Sequence, residues 1–77
     1  MMKELLTYIA ANLVSDPDAI SINEKVDGDE ITYELHVAAD DMGRVIGRHG
    51  RIAKEIRTLM KAAGNRENKK VSVDICD

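Results

Sequence analysis

The sequence predicts a two-layer α+β domain in the order helix, strand, strand, helix, helix, strand, with three helices on one face of a three-stranded sheet. Apolar residues recur every three to four positions across residues 2–13 and again across 52–63, which is the period of a helix. In three shorter runs they alternate with polar residues, the period of a strand. Alternation in all three strands makes one sheet face apolar and leaves the other polar, so the helices belong on one side only.

The first helix rests on Met2, Leu5, Leu6, Ile9 and Leu13, which share one face. Ser15-Asp16-Pro17-Asp18 ends it, because the residue before a proline is pushed out of the helical region. Ile20, Ile22 and Val26 then alternate with polar neighbours as a first strand. Asp27-Gly28-Asp29 is a turn signal between two alternating runs and predicts a hairpin. The second strand places Ile31, Tyr33, Leu35 and Val37 on one face and Thr32, Glu34 and His36 on the other. Asp40 and Asp41 offer N-cap chemistry to a short helix from Asp41 to Ile46. The helical period resumes after Gly50 with Ile52, Ile56, Leu59, Met60 and Ala63, and Gly64-Asn65 reads as its stop. Residues 65–70 form a polar loop, and Val71, Val73 and Ile75 alternate as the third strand.

Length and composition narrow the function classes. A chain of 77 residues makes one small domain, expected to span 1–77 with no repeat or linker inside it. Its 44% hydrophobic and 32% charged residues belong to a folded, soluble domain. With no Trp or Phe and two Tyr, the core has to be aliphatic, and a core that small favours a partner subunit. Cys76 stands alone and cannot form an internal disulfide, which points to a reducing, cytoplasmic setting. Glu4, Thr7 and Asn12 interrupt the N-terminal apolar run, so it reads neither as a signal peptide nor as a membrane span. Two separated His and one Cys make no nucleophile–base pair and no ligand set, so no enzyme, metal or cofactor is expected.

The net charge of −3 conceals a sorting along the chain. Residues 1–43 carry two basic and ten acidic side chains, whereas residues 44–70 carry nine basic and two acidic ones. Local charge decides where an anion binds, and the basic segment opens at Val45-Ile46-Gly47-Arg48-His49-Gly50-Arg51-Ile52. There the two glycines allow a tight turn with no side chain in the way of a sugar-phosphate strand. Amides at the start of the following helix make an anion site. Arg48 and His49 add donors at the tip, Arg44 stands on the near side, and Arg51, Lys54, Arg57 and Lys61 continue a basic ridge. The spacing is neither a dinucleotide-binding nor a Walker fingerprint, since no strand leads directly into it and no Gly-Lys-Ser/Thr follows.

Ile46-Gly47-Arg48-His49-Gly50-Arg51-Ile52 resembles the I-G-x-x-G-x-x-I signature of KH domains, with the second isoleucine one position early. The resemblance covers essentially the whole chain: residues 30–76 match the β-α-α-β core, and the helix and strand of residues 1–29 match the extension of the prokaryotic, type II arrangement. It implies a two-layer type II KH fold and a loop that clamps about four nucleotides of single-stranded RNA, with bases on an aliphatic groove. The groove wall would then come from Val45, Ile46, Ile52 and Ala53, with the second strand at its edge. It further implies self-association or pairing with a larger KH-containing protein, in bacterial RNA regulation linked to cell-envelope growth. Two Tyr cannot build the aromatic platform that other RNA-binding folds use.

Each feature also has a plainer reading. Two glycines three apart are by default a loop, and a charged helix face is by default solvated. His36 on a polar strand face, Cys76 near the end and Tyr33 on the core side are expected to be structural. Glu24, Glu30 and Glu34 are expected to form a solvated acidic face that keeps RNA off the back of the sheet. The alternative function is a dimerisation module of KH fold with little RNA binding of its own.

Overall fold

A computed structural model describes residues 2–76. Met1 and Asp77, the two ends of the expected domain, lie outside the described residues. The elements follow the expected order: α1 Met2–Ala11, β1 Ser21–Asp27, β2 Glu30–His36, α2 Met42–Ile46, α3 Arg51–Arg66 and β3 Lys70–Cys76. Short 3-10 turns precede β1 (Pro17–Ala19), α2 (Ala39–Asp41) and α3 (Arg48–Gly50).

The strands lie in the order β1-β2-β3, β1 antiparallel to β2 and β2 parallel to β3. The hairpin turns at Gly28, whose φ of 61° is a conformation that glycine adopts without strain. Tyr33 faces Glu24 across one ladder and Val73 across the other. All three helices cover the side bearing Ile31, Tyr33 and Leu35, where Leu6, Ala10, Val45, Ile56, Met60, Val71 and Val73 complete an aliphatic core. The other face is a polar ladder, in which Lys25 pairs with Glu34 at 3.2 Å and Thr32 shares a hydrogen bond with Ser72.

Several local expectations need correction. Val26 was placed on the core side, yet it is 62% exposed, and only Ile22 of β1 is even half-buried. β1 is an edge strand longer than the part of the helical layer that α1 provides against it. Glu24 does not share a face with Glu34. It stands opposite the buried Tyr33, on the helix side of the sheet rim, while Glu34 sits on the polar face. Burial, with Glu24 beside the hydroxyl, pushes the Tyr33 phenol well above its ordinary pKa.

Asp41 caps no helix. Its side chain is buried and accepts from the Ser15 N–H at 3.1 Å, the Ser15 hydroxyl at 2.8 Å and the Asp16 N–H at 3.1 Å. Those donors sit in the α1–β1 connection, so one carboxylate ties it to the start of α2. α1 ends at Ala11, two residues short of Leu13.

Gly64 does not stop α3 either, since the helix runs on to Arg66. The reversal falls at Asn68, whose φ is 59°, and the Gly64 carbonyl accepts both the Glu67 and Lys69 amides at 2.9 Å. Gly64 is glycine because β3 crosses it closely: a Cβ there would lie 2.9 Å from the Lys69 carbonyl oxygen and against Val71. Leu59, expected on the core face of α3, is 53% exposed.

Candidate nucleic-acid interface

The motif residues meet at the junction of α2 and α3. α2 closes with the Gly47 N–H donating to the Gly43 carbonyl at 2.9 Å, and Gly50 N–H donates back to the Gly47 carbonyl at 3.2 Å. The four residues between the helices are therefore a single tight turn. Gly47 has φ 76° and ψ 175°, a region that only glycine occupies readily, and Gly50 has φ 74° and ψ 15°. His49 is left-handed as well, with φ 59°, which turns the backbone sharply at the tip.

The two glycines answer different needs. A Cβ on Gly47 would lie 2.9 Å from both the Cβ and the backbone N of Ile52 and would run into Ile52 Cγ1. Ile52 is thus seated on the bare Cα of Gly47, and that contact sets the angle at which α3 leaves the turn. Gly50 has no neighbour within 4 Å of such a Cβ, so it needs glycine for its backbone and leaves open space above itself. No side chain caps α3, whose N-cap is Gly50. Its first amides and the positive end of its dipole therefore face outward beside that space.

Arg48, His49, Arg51 and Lys54 are exposed around the turn, as expected. Arg44 is also exposed, but its Nε lies 3.3 Å from Asp41 Oδ1, so it is held at the near side of the turn by a buried partner. That guanidinium and the Ser15 and Asp16 donors keep the Asp41 carboxyl below the usual Asp range, the Ser15 backbone N–H contributing most. Further along α3, Arg57 Nε donates to the Val73 carbonyl on the outer edge of β3 at 3.2 Å. Arg57 therefore stands on the β3 flank of α3 and covers part of an otherwise unpaired strand edge.

The expected groove wall divides into two kinds of residue. Ile46, 36% exposed, and the half-buried Ile52 present apolar surface. Val45, fully buried, and Ala53, 4% exposed, belong to the packing beneath and back the wall instead of lining it. α2 and α3 both pack against β3. Reading the spacing alone could not have found Asp41, whose donors lie 25 and 26 residues away.

A helix-strand hairpin leading into a β-α-α-β core, with a basic two-glycine turn between its helices, defines a type II KH domain. The chain belongs to the KhpA/KhpB KH-domain family, whose model matches residues 3–75. It is 53% identical over 74 residues to the RNA-binding protein KhpA of Clostridium perfringens, covering 96% of this chain and 99% of that protein. With the RNA-binding protein KhpA of Chlamydia trachomatis it shares 45% identity over 76 residues, covering 99% of this chain and 97% of the relative. The corresponding protein of Listeria monocytogenes is 43% identical over 76 residues, covering 99% of this chain and all of that relative.

Proposed function

We propose that this chain is a non-enzymatic RNA-binding protein whose single KH unit grips single-stranded RNA at the Gly47–Gly50 turn. The observation that carries the reading is the turn itself: both glycines at positive φ, open space over Gly50, and Arg48 and His49 exposed at the tip. Similarity to proteins named RNA-binding supports the same reading. Arg48, His49, Arg51 and Lys54, with Arg44 behind them, hold the phosphates, and the uncapped start of α3 adds its amides. Ile46 and Ile52 offer apolar contact to the bases, backed by Val45 and Ala53.

A turn of this size spans about four nucleotides and reads mainly backbone, so one copy binds weakly and with little sequence discrimination. Two linked sites would raise avidity through effective concentration. The reading therefore includes self-association or pairing with a larger, KhpB-like KH protein. Together they act as a small cytoplasmic RNA chaperone or regulator connected with cell shape and cell wall biogenesis. Exposed Leu5 and Leu59 favour the self-association part specifically.

Crosslinking in cells with sequencing of bound RNA, wild type against Arg48→Asp/His49→Asp, tests the proposal. The wild type should recover a broad set of transcripts and the variant should lose most of it at equal expression. Equal recovery from both proteins would refute the clamp assignment.

A further inference from the structure

The Arg44 guanidinium is anchored at one edge and open at the other. Its Nε lies 3.3 Å from Oδ1 of Asp41, whose side chain is 1% exposed while that of Arg44 is 61% exposed. Among the described residues no other carboxylate pairs with Arg44. A guanidinium carries five N–H donors, so a contact through Nε leaves the edge formed by the two terminal nitrogens available to a phosphate.

The anchor is itself fixed. Oδ1 of Asp41 also accepts from the Ser15 N–H and hydroxyl, and Oδ2 accepts from the Asp16 N–H. These three donors belong to the α1–β1 connection, so the carboxylate cannot swing to follow Arg44. α2 has only five residues and closes with the Gly47 N–H on the Gly43 carbonyl. A helix so short has no stability of its own, and its direction is set by what holds its ends. Asp41 holds the start, and the end is the glycine turn. Arg44 stands three residues from each, one turn or about 4.5 Å along the axis before Gly47. An ion pair with one exposed partner contributes little to stability. Its effect falls on geometry: a long side chain confined before its ligand arrives loses less freedom on binding.

We infer that Asp41 is a positioning residue for RNA binding, which touches no RNA and acts by aiming Arg44 at the phosphate entering the Gly47–Gly50 turn. The inference rests on the grip at that turn proposed above and assigns part of its support to a residue outside the motif. Through Ser15 and Asp16 it makes the α1–β1 connection part of that support as well.

Three roles for Asp41 lead to different affinities. A plain negative charge beside an anion site opposes binding, so its removal in Asp41→Asn would strengthen it. A purely structural residue would leave the affinity of the folded protein unchanged. The anchor of Arg44 makes Asp41→Asn weaken binding although a negative charge has been removed.

Filter binding to a mixed single-stranded RNA pool, at a temperature where circular dichroism shows each variant folded, reads this as a double-mutant cycle. Asp41→Asn should weaken binding about 3–10-fold when Arg44 is present and less than about 2-fold in an Arg44→Gln background. Arg44→Lys keeps the positive charge and leaves the buried carboxylate with its Ser15 and Asp16 donors. It should still lose about 3-fold or more, because an ammonium has no second edge to present. Where Asp41→Asn does not fold, Arg44→Lys decides alone. Wild-type affinity in Arg44→Lys, or equal or tighter binding by folded Asp41→Asn, would overturn the inference. An Asp41→Asn loss of the same size in both Arg44 backgrounds would also overturn it, since the carboxylate would then act without Arg44. In each of these cases a loss of binding by Arg48→Asp/His49→Asp leaves the grip at the turn standing. Retained binding by that variant would overturn the grip, and this inference with it.

Discussion

Gly47 and Gly50 look alike in the motif but are held to glycine by different forces, and substitution separates them. At Gly50 an added methyl meets nothing, so Gly50→Ala carries only the penalty of a left-handed backbone, about 1 kcal/mol. At Gly47 the strain of a glycine-only conformation adds to a collision with Ile52, and Gly47→Ala is expected to lose about 2–4 kcal/mol. Urea unfolding of the two variants should show that order. Asp41 is the second decisive residue. Its carboxyl is ionised more readily in the folded chain than in the unfolded one, so the folded state binds fewer protons across that window. The stability it contributes is complete above the unfolded Asp value of about 4 and drains away as pH falls through the lower folded value. Thermal midpoints by circular dichroism should therefore be level down to about pH 5 and drop below about pH 4. Asp41→Asn should lower the neutral midpoint and flatten that acid limb. The sequence made this residue a cap, because an Asp before a short helix ordinarily is one. The donors that claim it instead are brought near only by the fold.

α3 was legible as an element, and its separate faces were not. The apolar period located it, but Leu59 fits that period equally well as a core residue or as the centre of an outward stripe. Only the position of α1 decides between them. Gly64 was read as a terminator because Gly-Asn ordinarily ends a helix, while its actual constraint is the crossing of β3 after the chain reverses at Asn68. A direct consequence is that Gly64→Ala is destabilising despite a helix-propensity gain of about 1 kcal/mol. The backbone carbonyl of Lys69 cannot yield as a flexible side chain would, and a net loss of about 1–2 kcal/mol is expected in chemical denaturation. β1 shows the same division. Its hairpin with β2 followed from Asp27-Gly28-Asp29, whereas the exposure of Val26 depends on how far the helical layer extends, which no local pattern encodes.

Across the whole molecule, the sheet, its three helices and the position of the glycine turn all followed from periodicity and turn chemistry, because those signals are local. The core they build is small and aliphatic, so single truncations weigh heavily in it. Leu35, fully buried on the central strand, should lose about 2–5 kcal/mol as Leu35→Ala, a large part of the stability of a domain this size. The charge sorting acts at this scale too. Most of the basic residues between 44 and 61 gather on the turn and one flank of α3, while the far face of the sheet mixes Glu30, Glu34 and Asp74 with Lys25 and Lys70. Lys25 and then Asn23 hydrogen-bond Glu34 and hold its carboxyl below the usual Glu range. The central claim is that the Gly47–Gly50 turn grips phosphate, and equilibrium filter binding to a mixed single-stranded RNA pool across a salt series addresses it most directly. The wild type should bind with an affinity that falls steeply as salt rises. Arg48→Asp/His49→Asp should lose binding and most of that salt slope while keeping its circular dichroism spectrum. Undiminished affinity with an unchanged slope in the folded variant would contradict the account.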